Sequence, residues 1–318
     1  MWLIIPTGNK LKDIVEQTVT NTNLPLPPLK KKPPLVYHAP SRETAFNRPR
    51  DFLGNRFVYA VISSRARGLS LGVNMNPDRR CNFNCPYCEV DHQRPSAEAR
   101  LIPEIMATEL RRAIQMVEEG HLRQHPSYQA LPDELLKLRH VALSGDGEPT
   151  LAQNFFEAVQ AVVRVRALGN FFKIVLITNG TGLDQPQVIR GLEFLTKSDE
   201  IWIKLDAGTQ GYMDKVNRPD VKLEKILANI QFVGRIRPVI IQGLFAAMHG
   251  DEPPLDEIKQ YARRLKELKE GGAQIELVQI YSAARPGTHP ELGHLPLRVL
   301  SQIAQTVRQD AGLRTEVF

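Results

Sequence analysis

The sequence predicts an α/β fold: a partial (βα)6 TIM-like barrel that follows a basic, proline-rich N-terminal extension. From residue 70 onward, short apolar runs alternate with segments whose apolar residues recur at helical spacing. The apolar runs end in polar or glycine-rich residues, as strands of a parallel sheet do where they meet their loops. The first 57 residues differ in composition, so we expect an extension over residues 1–57 and a core domain over 58–318.

Six strands and five helices follow from these patterns. The predicted strands cover residues 70–75, 140–144, 172–178, 201–205, 239–248 and 275–281. Helical periods begin near residues 103, 155, 223, 255 and 297, where Pro103 suits a first helical turn and Gly120 and Gly169 act as stops. Since the carboxyl ends of parallel strands meet at one edge of a barrel, we expect functional residues there.

The extension carries most of the net charge. Residues 1–57 contain nine Lys or Arg against four Asp or Glu, which gives +5 of the chain's formal +6. Five prolines surround the run Lys30, Lys31 and Lys32, and this composition predicts an extended arm. Two interpretations stay open: an arm that binds nucleic acid or another acidic partner, and a solvated tail.

Other features exclude several function classes. No stretch reaches the about 18 apolar residues of a membrane helix, and residues 1–6 are too short and too quickly polar for a signal peptide. We therefore expect a cytoplasmic protein with no membrane partner. The eight histidines show no ligand-like spacing, and nothing resembles a Ser-His-Asp set or a phosphate loop.

The three cysteines of the chain, Cys81, Cys85 and Cys88, lie within eight residues after the first predicted strand. An odd number at such close spacing argues against a disulfide framework and indicates metal ligands kept reduced. Three thiolates on one loop ligate three irons of a [4Fe-4S] cluster and leave the fourth iron open to the amino and carboxylate groups of a small molecule. The alternative is a zinc ion held by the same cysteines and His92.

The run Cys81-Asn82-Phe83-Asn84-Cys85-Pro86-Tyr87-Cys88 resembles the CxxxCx-aromatic-C signature of the radical S-adenosylmethionine (SAM) superfamily. The preceding residues 63–74 resemble a subgroup related to wyosine tRNA-modifying enzymes, and the resemblance covers about residues 58–282. It implies a [4Fe-4S] cluster and SAM as cofactors, and reductive cleavage that yields a 5′-deoxyadenosyl radical. A low-potential electron donor, flavodoxin or ferredoxin, is an implied partner.

The resemblance also implies where SAM binds. Gly145, Gly147 and Glu148 follow the second predicted strand, where the superfamily places a glycine-glycine-glutamate motif that holds the methionine amino group. Glycines allow close backbone approach, and a carboxylate accepts hydrogen bonds from an ammonium group. Asp146, between the two glycines, departs from the commonest form of that motif.

Residues after the third and fourth strands complete the implied site. Asn179, and Lys204 or Asp206, are expected at the methionine carboxylate or the ribose, and Tyr87 is expected to present its backbone near the adenine. Two alternatives stay open: Lys204 and Asp206 pair with each other as scaffold, and the Tyr87 ring fills the core.

Four more polar residues follow or interrupt predicted strands. Gln242 and Gln279 point toward a ligand in the barrel or are satisfied core amides. Arg218 and Arg285 contact substrate or are solvated loop residues.

No cysteine remains for the second cluster that wyosine-forming relatives use. Three function classes therefore stay open: a radical SAM enzyme acting on a small molecule or a protein, a radical SAM enzyme acting on tRNA, and a zinc-binding nucleic-acid module.

Overall fold

The structure is a computed structural model that describes residues 45–94, 96, 98–169, 171–283 and 292–318. All described residues belong to one compact unit. The predicted basic arm around Lys30 lies outside the described residues, and so does Arg285.

One sheet of eight strands forms the centre of the described chain. The strands are β1 (Val58–Ser63), β2 (Gly68–Asn74), β3 (Leu138–Ser144), β4 (Ile174–Thr178), β5 (Glu200–Lys204), β6 (Val239–Leu244), β8 (Ile275–Tyr281) and β10 (Thr315–Val317). Their order along the sheet is β1-β2-β3-β4-β5-β6-β8-β10.

The six predicted strands correspond to β2, β3, β4, β5, β6 and β8, which all run parallel and confirm the fold class. The sequence patterns did not predict the two edge strands. β1 is antiparallel to β2, and the three-residue β10 is parallel to β8.

The prediction of one strand over residues 239–248 is wrong. β6 ends at Leu244, and a two-residue strand β7 (Ala247–Met248) pairs antiparallel with β9 (Leu292–Gly293). The break occurs because the Leu244 N–H donates to a side chain, the Oδ1 atom of Asp206 at 2.8 Å, instead of to a neighbouring strand.

In the described residues, eight α-helices surround the sheet. They are α1 (Pro103–Glu118), α2 (Asp133–Leu136), α3 (Phe155–Leu168), α4 (Pro186–Leu192), α5 (Gln210–Val216), α6 (Leu223–Ile236), α7 (Leu255–Glu270) and α8 (Leu297–Ala311). The five predicted helices are confirmed as α1, α3, α6, α7 and α8. Gly120, with a φ of +72°, follows α1, and Gly169 caps α3.

The curved sheet separates two apolar regions. The larger one lies between the sheet and the helices, where burial of each large side chain stabilises the fold by about 1.5–3 kcal/mol. A second, smaller cluster inside the barrel contains Val175, Trp202, Ile240 and Leu277. Curvature brings the β1–β2 turn to the far edge, where the Arg67 Nη2 atom lies 3.0 Å from a carboxylate oxygen of Glu316 on β10.

Candidate functional site

Loops from separate strands meet around the cysteine segment at the carboxyl edge of the sheet. The Glu148 N–H, after β3, donates to the carbonyl of Arg80 at 3.0 Å. The Asn179 side chain, after β4, donates to the Oδ1 atom of Asn82 at 2.9 Å. The expected convergence of residues after different strands is therefore present in the structure.

The three cysteines carry free thiols in different environments. Cys85 is buried, whereas Cys81 and Cys88 are half-buried. Burial raises the pKa of the Cys81 thiol to about 12 and that of Cys85 to about 11. These two thiols hold their protons at neutral pH, so a metal that binds them must displace those protons.

His92, the fourth ligand of the zinc alternative, lies beside the last cysteine. Its Nε2 atom is 3.6 Å from the Cys88 sulfur, and its Nδ1 atom is 2.8 Å from the carbonyl of Arg79. The hydrogen bond to Cys88 is the main cause that raises the pKa of His92. Within the described ranges, no three His, Cys, Asp or Glu side chains gather closely enough to share one metal ion.

At both glycines after β3, the neighbouring chain approaches too closely for a side chain. A Cβ atom at Gly147 would lie 2.0 Å from the carbonyl oxygen of Arg80, the residue before the first cysteine. Gly145 has a φ of +147°, and a Cβ there would lie 2.4 Å from the Oδ1 atom of Asn74. The glycines therefore let the two loops pack backbone against backbone.

Asp146, the departure from the glycine-rich pattern, is held by two partners. Its Oδ1 atom accepts from Arg50 Nη2 at 2.6 Å, and its Oδ2 atom accepts from Asn74 Nδ2 at 2.9 Å. The Arg50 guanidinium also lies 5.1 Å from the ring centre of Tyr59. Asp146 thus joins the loop to residues before β1 and at the end of β2.

Glu148 is a buried carboxylate with its hydrogen bonds already made. Its Oε1 atom accepts from the N–H and hydroxyl of Thr150, at 3.0 and 2.6 Å, and from the Thr178 hydroxyl. Its Oε2 atom accepts from the Asn179 N–H at 2.6 Å. Burial nevertheless raises the pKa of Glu148. This carboxyl group joins the loops after β3 and β4.

A second polar network joins the last two cysteines to the loop after β5. The Tyr87 hydroxyl donates to the Oδ2 atom of Asp206, and the Leu244 N–H occupies Oδ1. The Lys204 Nζ atom lies 3.6 Å from Asp206 and 5.0 Å from the Tyr87 ring centre. The Lys204–Asp206 pair is therefore present, and Tyr87 is a buried, hydrogen-bonded ring.

Charge and burial act in opposite directions on this network. Burial disfavours the charged form of Lys204, yet Asp206 and the neighbouring Tyr281 outweigh it and raise the pKa of the ammonium group. Burial raises the pKa of Tyr87, and the charge of Asp206 adds to that effect. Lys204 is therefore charged and Tyr87 protonated at neutral pH.

Sequence reasoning missed Asn217, which lies just after α5. Its buried Nδ2 atom is 2.8 Å from the Tyr87 hydroxyl, 2.8 Å from Asp206 Oδ2 and 3.5 Å from the Cys85 sulfur. Its carbonyl accepts from the Asn84 N–H at 3.0 Å. No local signal identifies it, because its contacts with Cys85 and Tyr87 join residues about 130 positions apart.

Of the remaining predicted residues, Gln242 and Gln279 lie in the barrel, and Arg218 lies beside the cysteine segment. The buried Gln242 and Gln279 side chains pair with each other, with Nε2 of Gln242 2.8 Å from Oε1 of Gln279, which favours the core-amide interpretation. Arg218 has a φ of +46° beside the cysteine segment, where its carbonyl accepts from the Asn84 N–H at 3.3 Å.

Comparison with known proteins identifies the class. Residues 75–250, more than half of the chain, match the model of the radical SAM superfamily. The chain therefore belongs to the radical SAM superfamily, whose enzymes use a [4Fe-4S] cluster and SAM. Membership favours the cluster over the zinc alternative.

Several relatives share the name UPF0026 protein. A UPF0026 protein of Synechocystis sp. is 30% identical over 178 residues, which are 55% of this chain and 58% of that protein. A UPF0026 protein of Helicobacter pylori is 26% identical over 213 residues, or 66% of this chain and 62% of that protein. The chain thus spans about six tenths of the length of these relatives.

Two solved structures share the fold. The Streptococcus suis protein SuiB, bound to SAM, has a TM-score of 0.51 at 13% identity, over 80% of this chain and 49% of that one. TYW1 with a lysine-pyruvate adduct bound has a TM-score of 0.51 at 17% identity, over 80% of this chain and 84% of that one. At such low identity these similarities support the fold alone.

The donor set fits the group that the superfamily uses. Three thiols, free of disulfides, lie on one loop among loops from neighbouring strands. A cubane cluster distributes such thiols over separate irons. None of the helices in the described ranges combines the length and apolar composition needed to cross a bilayer.

Proposed function

We propose that this enzyme reductively cleaves SAM at a [4Fe-4S] cluster ligated by Cys81, Cys85 and Cys88. The observation that carries the proposal is that the only three thiols of the chain share one loop at the carboxyl edge of the sheet. When bound, the cluster and SAM supply one-electron cleavage of the sulfonium to methionine and a 5′-deoxyadenosyl radical, which takes hydrogen from a substrate.

The loops after β3 and β4 are proposed to hold the methionine part of SAM. Gly145, Gly147 and Glu148 provide the loop for the amino group, and Asn179 lies next to them through its backbone bond to Glu148. Since the Glu148 carboxylate already accepts four hydrogen bonds, its main contribution is to fix the two loops relative to each other.

The network beyond Cys85 is proposed to position the rest of the cofactor. Lys204 places a positive charge at the methionine carboxylate. Asp206 contacts the ribose and also orients Tyr87 through a hydrogen bond. Tyr87 presents its backbone toward the adenine. Asn217 holds Cys85, Tyr87 and Asp206 in one arrangement, so the network is set before the cofactor binds.

The proposed reaction requires a partner that donates electrons. Reductive cleavage needs a low-potential donor, and we propose flavodoxin or ferredoxin for that role. Cys81 and Cys88 are half-buried, which supports electron entry from their side of the loop.

The test is an oxygen-free incubation of reconstituted enzyme with dithionite and SAM. We expect about four irons per chain and formation of 5′-deoxyadenosine, detected by mass spectrometry. Addition of fractionated cell extract should identify the substrate by a rise in that product. A reconstituted protein without iron, or with iron and no 5′-deoxyadenosine under strong reduction, would contradict the proposal.

Modification of tRNA is the second candidate, because residues 1–57 carry an excess of five positive charges. Contacts between basic side chains and phosphates make binding fall steeply with salt. If tRNA is the substrate, deletion of residues 1–35 should abolish salt-sensitive tRNA binding while SAM cleavage persists. Absence of tRNA binding by the full chain at low salt would leave a small molecule or a protein as substrate.

A further inference from the structure

Two cations from distant parts of the chain approach one aromatic ring inside the barrel. Arg65 belongs to the turn between β1 and β2, and its guanidinium carbon lies 4.3 Å from the ring centre of Tyr281. Lys204, at the end of β5, donates to the Tyr281 hydroxyl at 3.2 Å, and its Nζ atom lies 5.7 Å from the same ring centre. Curvature of the sheet creates this meeting point.

The negative charge beside these cations is insufficient to neutralise both. Asp206 is the carboxylate next to Lys204, and it also accepts from Tyr87, Asn217 and the Leu244 N–H. Arg65 is half-buried and forms no ion pair or hydrogen bond with the described residues; its contact is the face of Tyr281. A guanidinium group has five N–H donors, which an aromatic face does not satisfy.

The interior surface around the cations is polar and electropositive. Strand register places Lys204, Gln242 and Gln279 side by side on β5, β6 and β8, and the two amides are buried. Deeper in the barrel, burial lowers the pKa of His140 to about 3, and the charges of Lys173 and Arg65 add to that effect. The charge of Arg65 is thus felt within the barrel interior.

We propose that Arg65 binds an anionic group of the substrate, a carboxylate or a phosphate, beside Tyr281, while Lys204 beside the same ring stays with the cofactor and adds its charge to the same field. Arginine pairs with both groups through two parallel N–H bonds, and lysine adds a compact charge. The inference rests on the proposed function, since it names the substrate class of the same site. Lys204 lies over Tyr87, the neighbour of Cys88, so an anion held here anchors the substrate close to the proposed cofactor site.

The experiment uses reconstituted enzyme saturated with SAM and ligand-observed NMR with three probes: acetate, inorganic phosphate and the neutral isostere acetamide. Arg65→Gln removes the proposed anchor. Arg65→Lys keeps the positive charge but lacks the two parallel N–H donors of a guanidinium group. The matched control is Arg67→Gln from the same turn, because the Arg67 side chain is 72% exposed and pairs with Glu316.

We expect acetate or phosphate to bind and acetamide not to bind. Arg65→Gln should weaken anion binding about tenfold or more, the loss typical of a charged hydrogen-bonded pair. The anion affinity of Arg65→Lys should lie between those of the unaltered enzyme and Arg65→Gln. The affinity of Arg67→Gln should match that of the unaltered enzyme. The anion that binds more tightly identifies the group the substrate carries.

Two results would overturn the inference: equal anion binding by the unaltered enzyme and Arg65→Gln, or anion binding by SAM-free reconstituted enzyme that disappears once the enzyme is saturated with SAM. The second result would assign Arg65, like Lys204, to the cofactor's own carboxylate. Formation of 5′-deoxyadenosine, measured in the same samples without substrate, reports on the proposed function separately. Iron content and circular dichroism check that each variant is folded and loaded.

Discussion

Two buried aspartates at opposite ends of β5 have different partners. Asp199, before the strand, accepts from Arg166 Nη1 at 2.8 and 3.0 Å, from the Ile174 N–H and from Thr196, all residues of the scaffold. Asp206, after the strand, accepts from Tyr87 and from Asn217, which also contacts Cys85. The same residue type thus serves stability at one end of the barrel and the proposed chemistry at the other.

This contrast exists because the loops that follow many strands meet at the carboxyl edge. At the amino edge, the loops only connect each helix to the next strand. At the amino edge, the carboxylate of Asp199 has no exposed surface and the Arg166 side chain is 9% exposed. The Nη1 atom of Arg166 and both carboxylate oxygens of Asp199 have scaffold partners. At the carboxyl edge, Asn217 contacts the thiol of Cys85, which, like the thiol of Cys81, holds its proton until a metal binds.

The largest expected effect is at Cys85. Cys85→Ala should reduce iron content after reconstitution to background and abolish 5′-deoxyadenosine, because two thiols cannot hold the cluster as three do. Iron analysis and mass spectrometry measure both. In the metal-free protein the same change should lower the free energy of unfolding by only about 1 kcal/mol. Retained iron and activity would remove Cys85 from the ligand set.

At the amino edge, Asp199→Ala should destabilise the fold by about 3–5 kcal/mol, because it leaves the Arg166 charge buried without a partner. Urea unfolding measures this loss. The control is Glu267→Ala on α7, whose carboxylate pairs with the exposed Arg263 and the half-buried Arg264 and whose loss should cost less than about 1 kcal/mol. Similar losses for both variants would mean that burial of the Arg166–Asp199 pair is unimportant.

At the carboxyl edge, Asp206→Asn should weaken SAM binding by about 10–100-fold, the range found when supporting groups around a metal site are changed. Asparagine keeps an acceptor for the Leu244 N–H but removes the charge opposite Lys204. Oxygen-free equilibrium dialysis measures the affinity. The contrast between the two aspartates fails if Asp206→Asn destabilises the fold as much as Asp199→Ala does and leaves SAM affinity unchanged.

At neutral pH the smallest effect is that of His140, whose pKa falls from its ordinary 6.5 to about 3 in the folded chain. Its contribution to stability is complete above pH 6.5 and is lost progressively as the pH falls toward 3. The reason is that, over this range, His140 binds a proton in the unfolded chain but not in the native protein. His140→Phe, which keeps an aromatic ring against Trp202, should remove about 1.4 kcal/mol per pH unit of this dependence.

That difference is measured by urea unfolding of the two proteins from about pH 4 to pH 7. Parallel curves for the unaltered protein and His140→Phe would show that the imidazole is protonated in the native state. Such a result would also weaken the view that the barrel interior is electropositive.

Several elements were predictable because their cause is local. The six parallel strands, α1 with Pro103 at its start and the Gly169 cap of α3 follow from periodicity and from the conformational limits of proline and glycine. The edge strands were not predictable. β10 has three residues, too few for a periodic signal, and it exists because β8 offers it a free edge.

The candidate site divides in the same way. Cys81, Cys85 and Cys88 identify themselves by spacing, because three ligands on one loop need no tertiary structure to be neighbours. No local sequence pattern identifies Asn217. Its relevance depends on the turn after α5 meeting the cysteine segment, and the same is true of Arg50, which reaches Asp146 from 96 positions away.

By itself, the sequence determined that the chain alternates strands and helices and that three thiols share one loop, since both are properties of residues near each other in the chain. Tertiary structure alone decided that Asp199 is scaffold while Asp206 joins the site, that Gly147 makes room for the Arg80 carbonyl, and that Arg65 meets Lys204 across the barrel. The reason is that burial, charge pairing and close approach depend on which distant segments the curved sheet brings together.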